Sequence, residues 1–262
     1  MNILFLGGDK RMITAYDTLK EKHNVSSLGL FEGDTGDVKH ADILLFPVPT
    51  TRDKVFVNAP LTNRKIPLDI VKSAKRGTLI LSCGYDFSRY PQIDYGALDS
   101  FCIKNAVSTA EGAIAFAIDK TDFTLFGSKI LIIGFGRVGK ALLSRLSGFY
   151  ADICVSARSE KDFAALESIG QKTMNTADVC TAADRFDIIF NTVDLPLFPD
   201  DFDFQGTYLF DLSTKGCISD YGKAQGKTFK LPGIPGKTAA VSAGKIIAET
   251  VEQIINAESL KY

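Results

Sequence analysis

The chain has 262 residues, 45% of them hydrophobic and 23% charged, with a net charge of −1. That length suits two α/β domains better than one compact core. The balanced charge gives no electrostatic case for nucleic acid or an anionic membrane, and no apolar run reads as long enough to span a bilayer.

The opening residues Met1-Asn2-Ile3-Leu4-Phe5-Leu6 lack the basic start of a signal peptide and read as a first buried strand. In the first half, apolar runs at 3–6, 25–29, 43–48, 78–82 and 102–107 predict strands. Residues 110–120 carry Ala113, Ile114, Phe116, Ala117 and Ile118 without proline and predict a helix. A second set of strands is predicted at 129–133, 152–156, 187–191, 208–212 and 228–231. The closing stretch 238–257 has Ile246, Ile247, Val251, Ile254 and Ile255 at helical spacing. Strands alternating with helices predict parallel sheets covered on both faces. The expected fold class is therefore α/β, with two doubly wound Rossmann-like domains. Residues 1–120 form a flavodoxin-like substrate domain, which 240–262 joins by packing back on it, and 121–239 form an NAD(P)-binding domain.

Cys83, Cys102, Cys154, Cys180 and Cys217 are odd in number and irregularly spaced, with no CxxC pair. That argues against a zinc site or a redox dithiol and for reduced thiols in a cytoplasmic protein. His23 and His40 are the only histidines, so the commonest acid–base side chain is scarce.

Gly134-x-Gly136-x-x-Gly139 follows the apolar strand 129–133 and opens a helix-forming segment. The first glycine permits the tight turn, the second admits a pyrophosphate against the backbone, and the third lets helix and strand pack closely. The phosphates would sit at a helix N-terminus. A purely structural glycine turn is the alternative. Phe135, Arg137 and Val138 lie within the loop. At the next strand end, Ser156-Ala157-Arg158-Ser159-Glu160-Lys161 places no acid at the tip, and a guanidinium with a hydroxyl suits a 2′-phosphate. NADP is therefore expected, with NAD the alternative. Thr192, Val193 and Pro235 complete the expected cofactor set.

Other polar segments fall at predicted strand ends: Asp9 to Arg11, Thr50 to Arg52, Ser82, Ser108 to Gly112, Ser213, and Pro232 to Lys237. Together they would line a cleft between the domains. Asp9, Arg11, Thr50, Arg52, Ser82, Thr109 and Ser213 are the candidate substrate contacts. Glu111, placed near a helix start, and Lys237 are the candidate catalytic groups. For each cation a plain surface role is the competing reading.

Several of these segments resemble the dipicolinate synthase A subunit, a protein of bacterial spore formers. They are Gly7-Gly8-Asp9-Lys10-Arg11, Pro47-Val48-Pro49, Ser108-Thr109-Ala110-Glu111-Gly112, Thr121 to Ser128, Asp211-Leu212-Ser213 and Leu231-Pro232-Gly233-Ile234-Pro235-Gly236-Lys237. The resemblance implies NAD(P)-dependent oxidation of dihydrodipicolinate, or its hydrated precursor, to dipicolinate during sporulation. The implied partner is a flavoprotein-like B subunit. A homo-oligomer is also expected. Where the family often continues with proline and lysine, this chain has Ala240 and Val241. Two other classes compete. One is a non-catalytic dinucleotide-binding subunit or sensor. The other is a D-2-hydroxyacid dehydrogenase, disfavoured because no histidine follows His40.

Overall fold

A computed structural model describes residues 1–259. Two compact units emerge: Met1–Asn105 together with the segment from Pro235, and Ala106–Ile234.

The first unit contains β1 (Asn2–Leu6), α1 (Lys10–Leu19), β2 (Asn24–Leu28), β3 (Ile43–Leu45), β4 (Leu79–Ser82) and β5 (Gln92–Asp94), followed by helix α2 (Asp99–Lys120). Its sheet is wholly parallel in the order β2-β1-β3-β4-β5. This is the flavodoxin-like doubly wound order. Asp9 caps α1 by accepting from the Arg11 backbone N–H at 3.0 Å.

The second unit contains β6 (Lys129–Ile133), α3 (Arg137–Leu146), β7 (Asp152–Ala157), α4 (Glu160–Glu167), β8 (Lys172–Asn175), the single turn α5 (Val179–Ala182), β9 (Ile188–Asn191), β10 (Asp203–Asp211) and β11 (Gln225–Lys230). Its parallel order β11-β10-β9-β6-β7-β8 is the dinucleotide-fold order. Phe190, Phe210 and Phe229 stack across β9, β10 and β11 on one face, with centroids 5.5 and 5.3 Å apart. Being in register, Asn191, Asp211 and Lys230 stand abreast at the three strand ends.

The chain closes with α6 (Ile234–Thr238) and α7 (Ala240–Ser259). Ile247, Ala248, Val251, Ile254 and Ile255 of α7 join Met12, Ala15 and Leu19 of α1 and Ile3 and Phe5 of β1 in one buried cluster. The closing helix thus packs on the first unit, as the sequence leads one to expect.

Residues 102–107 are not a strand. They belong to α2, because Ala106, Ala110, Ala113 and Ala117 recur at helical spacing and are all buried. The fifth strand is instead Gln92–Asp94, half-buried and without apolar alternation. By length and composition α2 is also apolar enough to cross a bilayer, contrary to expectation. Its apolar residues serve protein cores: Phe101 in the first unit's, Ala110, Ala113, Ile114 and Ala117 in the second's.

Candidate functional site

The strand order of the second unit reverses between β6 and β9, and the glycine loop sits there. Gly134 has φ +96°, and its N–H donates to the Ser156 carbonyl at 3.1 Å. A Cβ at Gly134 would lie 2.5 Å from Val193 Cγ1 and 2.8 Å from Thr192 Oγ1. A Cβ at Gly139 would lie 2.0 Å from the Gly134 carbonyl oxygen. Both glycines are therefore required by packing within the protein. Gly136 is different. A Cβ there would meet nothing within 4 Å. It is the N-cap residue of α3, and no side chain caps that helix. Open space before uncapped amides at a helix N-terminus fits a pyrophosphate. Val138 packs against the core, and Lys140 Nζ lies 4.9 Å over the Phe135 ring. Arg137 is exposed on the first turn of α3.

Arg158, just past the tip of β7, and Lys161, in the first turn of α4, are exposed and have no partner among the described residues. Ser159 is engaged elsewhere. Its Oγ accepts from the Asp162 N–H at 3.1 Å and donates to Asp162 Oδ2 at 2.8 Å, which caps α4. Ser156 is buried, its Oγ 3.2 Å from Thr176 Oγ1. Thr192 Oγ1 donates to the Ile133 carbonyl at 2.7 Å, holding the β9 end against the loop. Pro235 is buried in α6.

Sequence reasoning named Ser213, as a substrate contact, but missed the network at the ends of β9–β11 that engages it. Asp211 is fully buried. Its Oδ1 accepts from Asn191 Nδ2 at 2.9 Å, the Ser213 N–H at 2.8 Å and Ser213 Oγ at 2.6 Å. Its Oδ2 accepts from the Cys217 N–H at 2.9 Å, from the Tyr221 hydroxyl, and from Lys230 Nζ at 3.2 Å. Burial pushes this carboxyl up, but the hydrogen bonds from Ser213, Tyr221 and Asn191 outweigh it and hold it below the usual carboxylate range. Burial pushes the Cys217 thiol up to about 12, so it stays protonated. Asn191 carries the network to the loop, donating to the Val193 carbonyl at 3.0 Å. A polar residue closing each of three adjacent strands is the signal that could have revealed it.

In the first unit, Arg11 is not an available cation. It is 5% exposed, its Nε and Nη2 lie 3.0 and 2.7 Å from the Asp9 carboxylate, and Nη2 also donates to the Val48 carbonyl. Thr50 is buried, its Oγ1 accepting from the Cys83 N–H at 2.8 Å, and Ser82 Oγ donates to the Tyr85 carbonyl at 2.9 Å. Arg52 is exposed and donates from Nε to Asn58 Oδ1 at 3.3 Å. Lys237 is exposed. Glu111 is not near a helix start but midway along α2, as Thr109 is. Its carboxylate lies 3.2 Å from Arg145 Nε on α3 with the side chain 61% exposed. His40 is exposed, and His23 Nε2 lies 3.1 Å from Glu252 Oε1.

The chain is similar to known proteins. Residues 2–86 match the family described as the N-terminal domain of the dipicolinate synthase A subunit. Residues 129–200 match the family described as NADP oxidoreductase coenzyme F420-dependent. The dipicolinate synthase A subunit of Bacillus subtilis is 26% identical over 97% of this chain and 96% of its own length. The crystal structure of the A chain of dipicolinate synthase from Bacillus subtilis superposes with a TM-score of 0.84 at 21% identity, covering 100% of this chain and 98% of its own. The crystal structure of the Bacillus halodurans counterpart gives 0.83 at 22% identity, covering 97% of each. Along nearly its whole length the chain is similar in sequence, and alike in fold, to the dipicolinate synthase A subunit.

Proposed function

We propose that the chain is a nicotinamide-dinucleotide-dependent oxidoreductase that prefers NADP and oxidises a dihydropyridine dicarboxylate to the aromatic dicarboxylate. The observation that carries the reading is the open space at Gly136 before the uncapped start of α3, in a sheet of dinucleotide-fold order. A dinucleotide held there by its pyrophosphate would supply its nicotinamide ring as the hydride acceptor. Aromatisation removes one hydride and one proton, two electrons in all, and a hydrated precursor also loses water. The Bacillus subtilis relative is named for one subunit of its enzyme, which supports a second subunit here. We take that partner to be the flavoprotein-like B subunit.

Arg158 carries the NADP preference in this reading. It has no partner among the described residues, and a charge-assisted bond to a 2′-phosphate is worth roughly 1.5–3 kcal/mol. Arg158→Ala is expected to weaken NADP binding about tenfold or more in titration calorimetry and to leave NAD nearly unchanged. Equal weakening of both cofactors would refute the assignment.

The departing proton needs an acceptor, and we assign that role to Glu111 or Lys237. Glu111→Gln is expected to lower kcat about tenfold or more with little change in KM. An unchanged kcat would leave Glu111 only as a partner for Arg145. That ion pair favours the second reading, a binding subunit that leaves the chemistry to its partner. Turnover measured with and without the B subunit separates the two.

A further inference from the structure

The sheet of the first unit has its own reversal of strand order, between β1 and β3. Ligands of doubly wound sheets bind at the carboxyl ends of strands at such points. Asn58 stitches this one together: its N–H donates to the Thr50 carbonyl and its own carbonyl accepts from the Gly8 N–H, each at 2.9 Å. Asn58 is only 9% exposed. Its Oδ1 accepts from Arg52, while its Nδ2 has no partner among the described residues. No fully buried side-chain nitrogen or oxygen among the described residues lacks a partner, so Nδ2 keeps access to solvent and is available to donate to a ligand in the groove.

Asn58 lines a groove of about 260 Å³ together with Arg52, Asn63, Arg64 and Lys65. Asp53 is the acid on its wall. That carboxylate is turned to its own loop, accepting from the Phe56 and Val55 N–H groups at 2.8 and 2.9 Å and from Thr51 Oγ1 at 3.1 Å. Arg64 is anchored by donating from Nη1 to the Asp34 carbonyl at 2.7 Å, with the Asp34 carboxylate 3.5 Å away. The rest of its fork has no partner among the described residues, and the groove stays cationic. Its volume falls below the roughly 300–1,000 Å³ of pockets that hold drug-sized ligands.

We propose that this groove is the binding site for a small dicarboxylate, with Arg52, Arg64 and Lys65 supplying charge and Asn58 Nδ2 a directional donor. The choice of a pyridine dicarboxylate as ligand rests on the function proposed above, whereas the cationic groove does not. It also replaces the buried Arg11 with Arg64 and Lys65 as carboxylate partners.

The test is titration of the full chain with pyridine-2,6-dicarboxylate, followed by calorimetry and ligand-observed NMR. Arg52→Gln and Arg64→Gln should each raise the dissociation constant about tenfold or more, as expected for charged hydrogen-bonding partners. Asn58→Asp keeps the shape and the acceptor for Arg52 but turns the free donor into an anion, and should weaken binding at least as much. Lys75→Gln, which removes a cation paired with Asp42 elsewhere in this unit, should change nothing. NADP affinity and the melting temperature should stay near wild type in the glutamine variants. Should Asn58→Asp unfold, the two arginine variants decide alone. Wild-type protein that does not bind the dicarboxylate at millimolar concentration, or arginine variants that bind it unchanged, would overturn the proposal. Binding without any dinucleotide-dependent turnover would uphold the groove and sink the function. Turnover with KM unchanged in both arginine variants would do the reverse.

Discussion

Gly136→Val is expected to weaken NADP binding by roughly a hundredfold or more, about 2.8 kcal/mol at ~1.4 kcal/mol per decade, while the protein stays folded. The two halves of that expectation have separate causes. A Cβ at Gly136 meets nothing within 4 Å, so the protein accommodates the side chain. The space it fills is that before the first turn of α3, where backbone must approach the phosphates. Gly139→Ala is the counterpart. Its Cβ would lie 2.0 Å from the Gly134 carbonyl oxygen, so loop and helix must move apart. Overpacking of that kind costs about 1–3 kcal/mol and should lower the melting temperature. Calorimetric titration beside a thermal scan by circular dichroism distinguishes them, the chain having no tryptophan to report by fluorescence. A Gly136→Val protein that binds NADP as wild type does would remove the glycine loop from the cofactor site.

The second large effect is expected at Asp211. Asp211→Ala leaves Lys230, Tyr221, Ser213 and Asn191 without their common acceptor. Lys230 is only partly buried, so the loss falls mainly on the buried donors left unsatisfied, at about 1–3 kcal/mol each. Asp211→Asn keeps the volume and should cost less. It should also change the response to acid. The folded carboxyl is held below its ordinary value, so its contribution is complete above the unfolded-state value, about pH 4, and is lost as pH falls through the lower folded value. Wild type should therefore lose stability more steeply than Asp211→Asn below about pH 4. Urea unfolding across a pH series measures this. Parallel curves would show that the carboxylate is not the group responsible.

How much of this could be read from the sequence depended on the range of the interaction. The glycine loop was legible because its three constraints lie within six residues and next to an apolar strand. The closing helix was legible from its periodicity. Residues 102–107 misled because a short apolar run does not reveal its own period, and the buried alanines that do reveal it extend to Ala117. Moving that segment into α2 also moved Thr109 and Glu111 away from any strand end. Arg11 shows a different limit. A cation two residues from an acid is indistinguishable in sequence from a free one, until the fold brings the distant Val48 carbonyl to it. Asn58 and the Asp211 network depend on partners that only strand register assembles.

The position of α7 bears on how such a chain is made. Translation delivers β1 to β5 first, but Ile247, Val251 and Ile254, which cover Met12, Ala15 and Leu19, emerge only after the whole second unit. The second unit is one continuous segment and can close as soon as it leaves the ribosome. The first must hold a bare apolar face open through that interval. Until the closing helix arrives, the nascent N-terminal sheet is a natural client for holding chaperones.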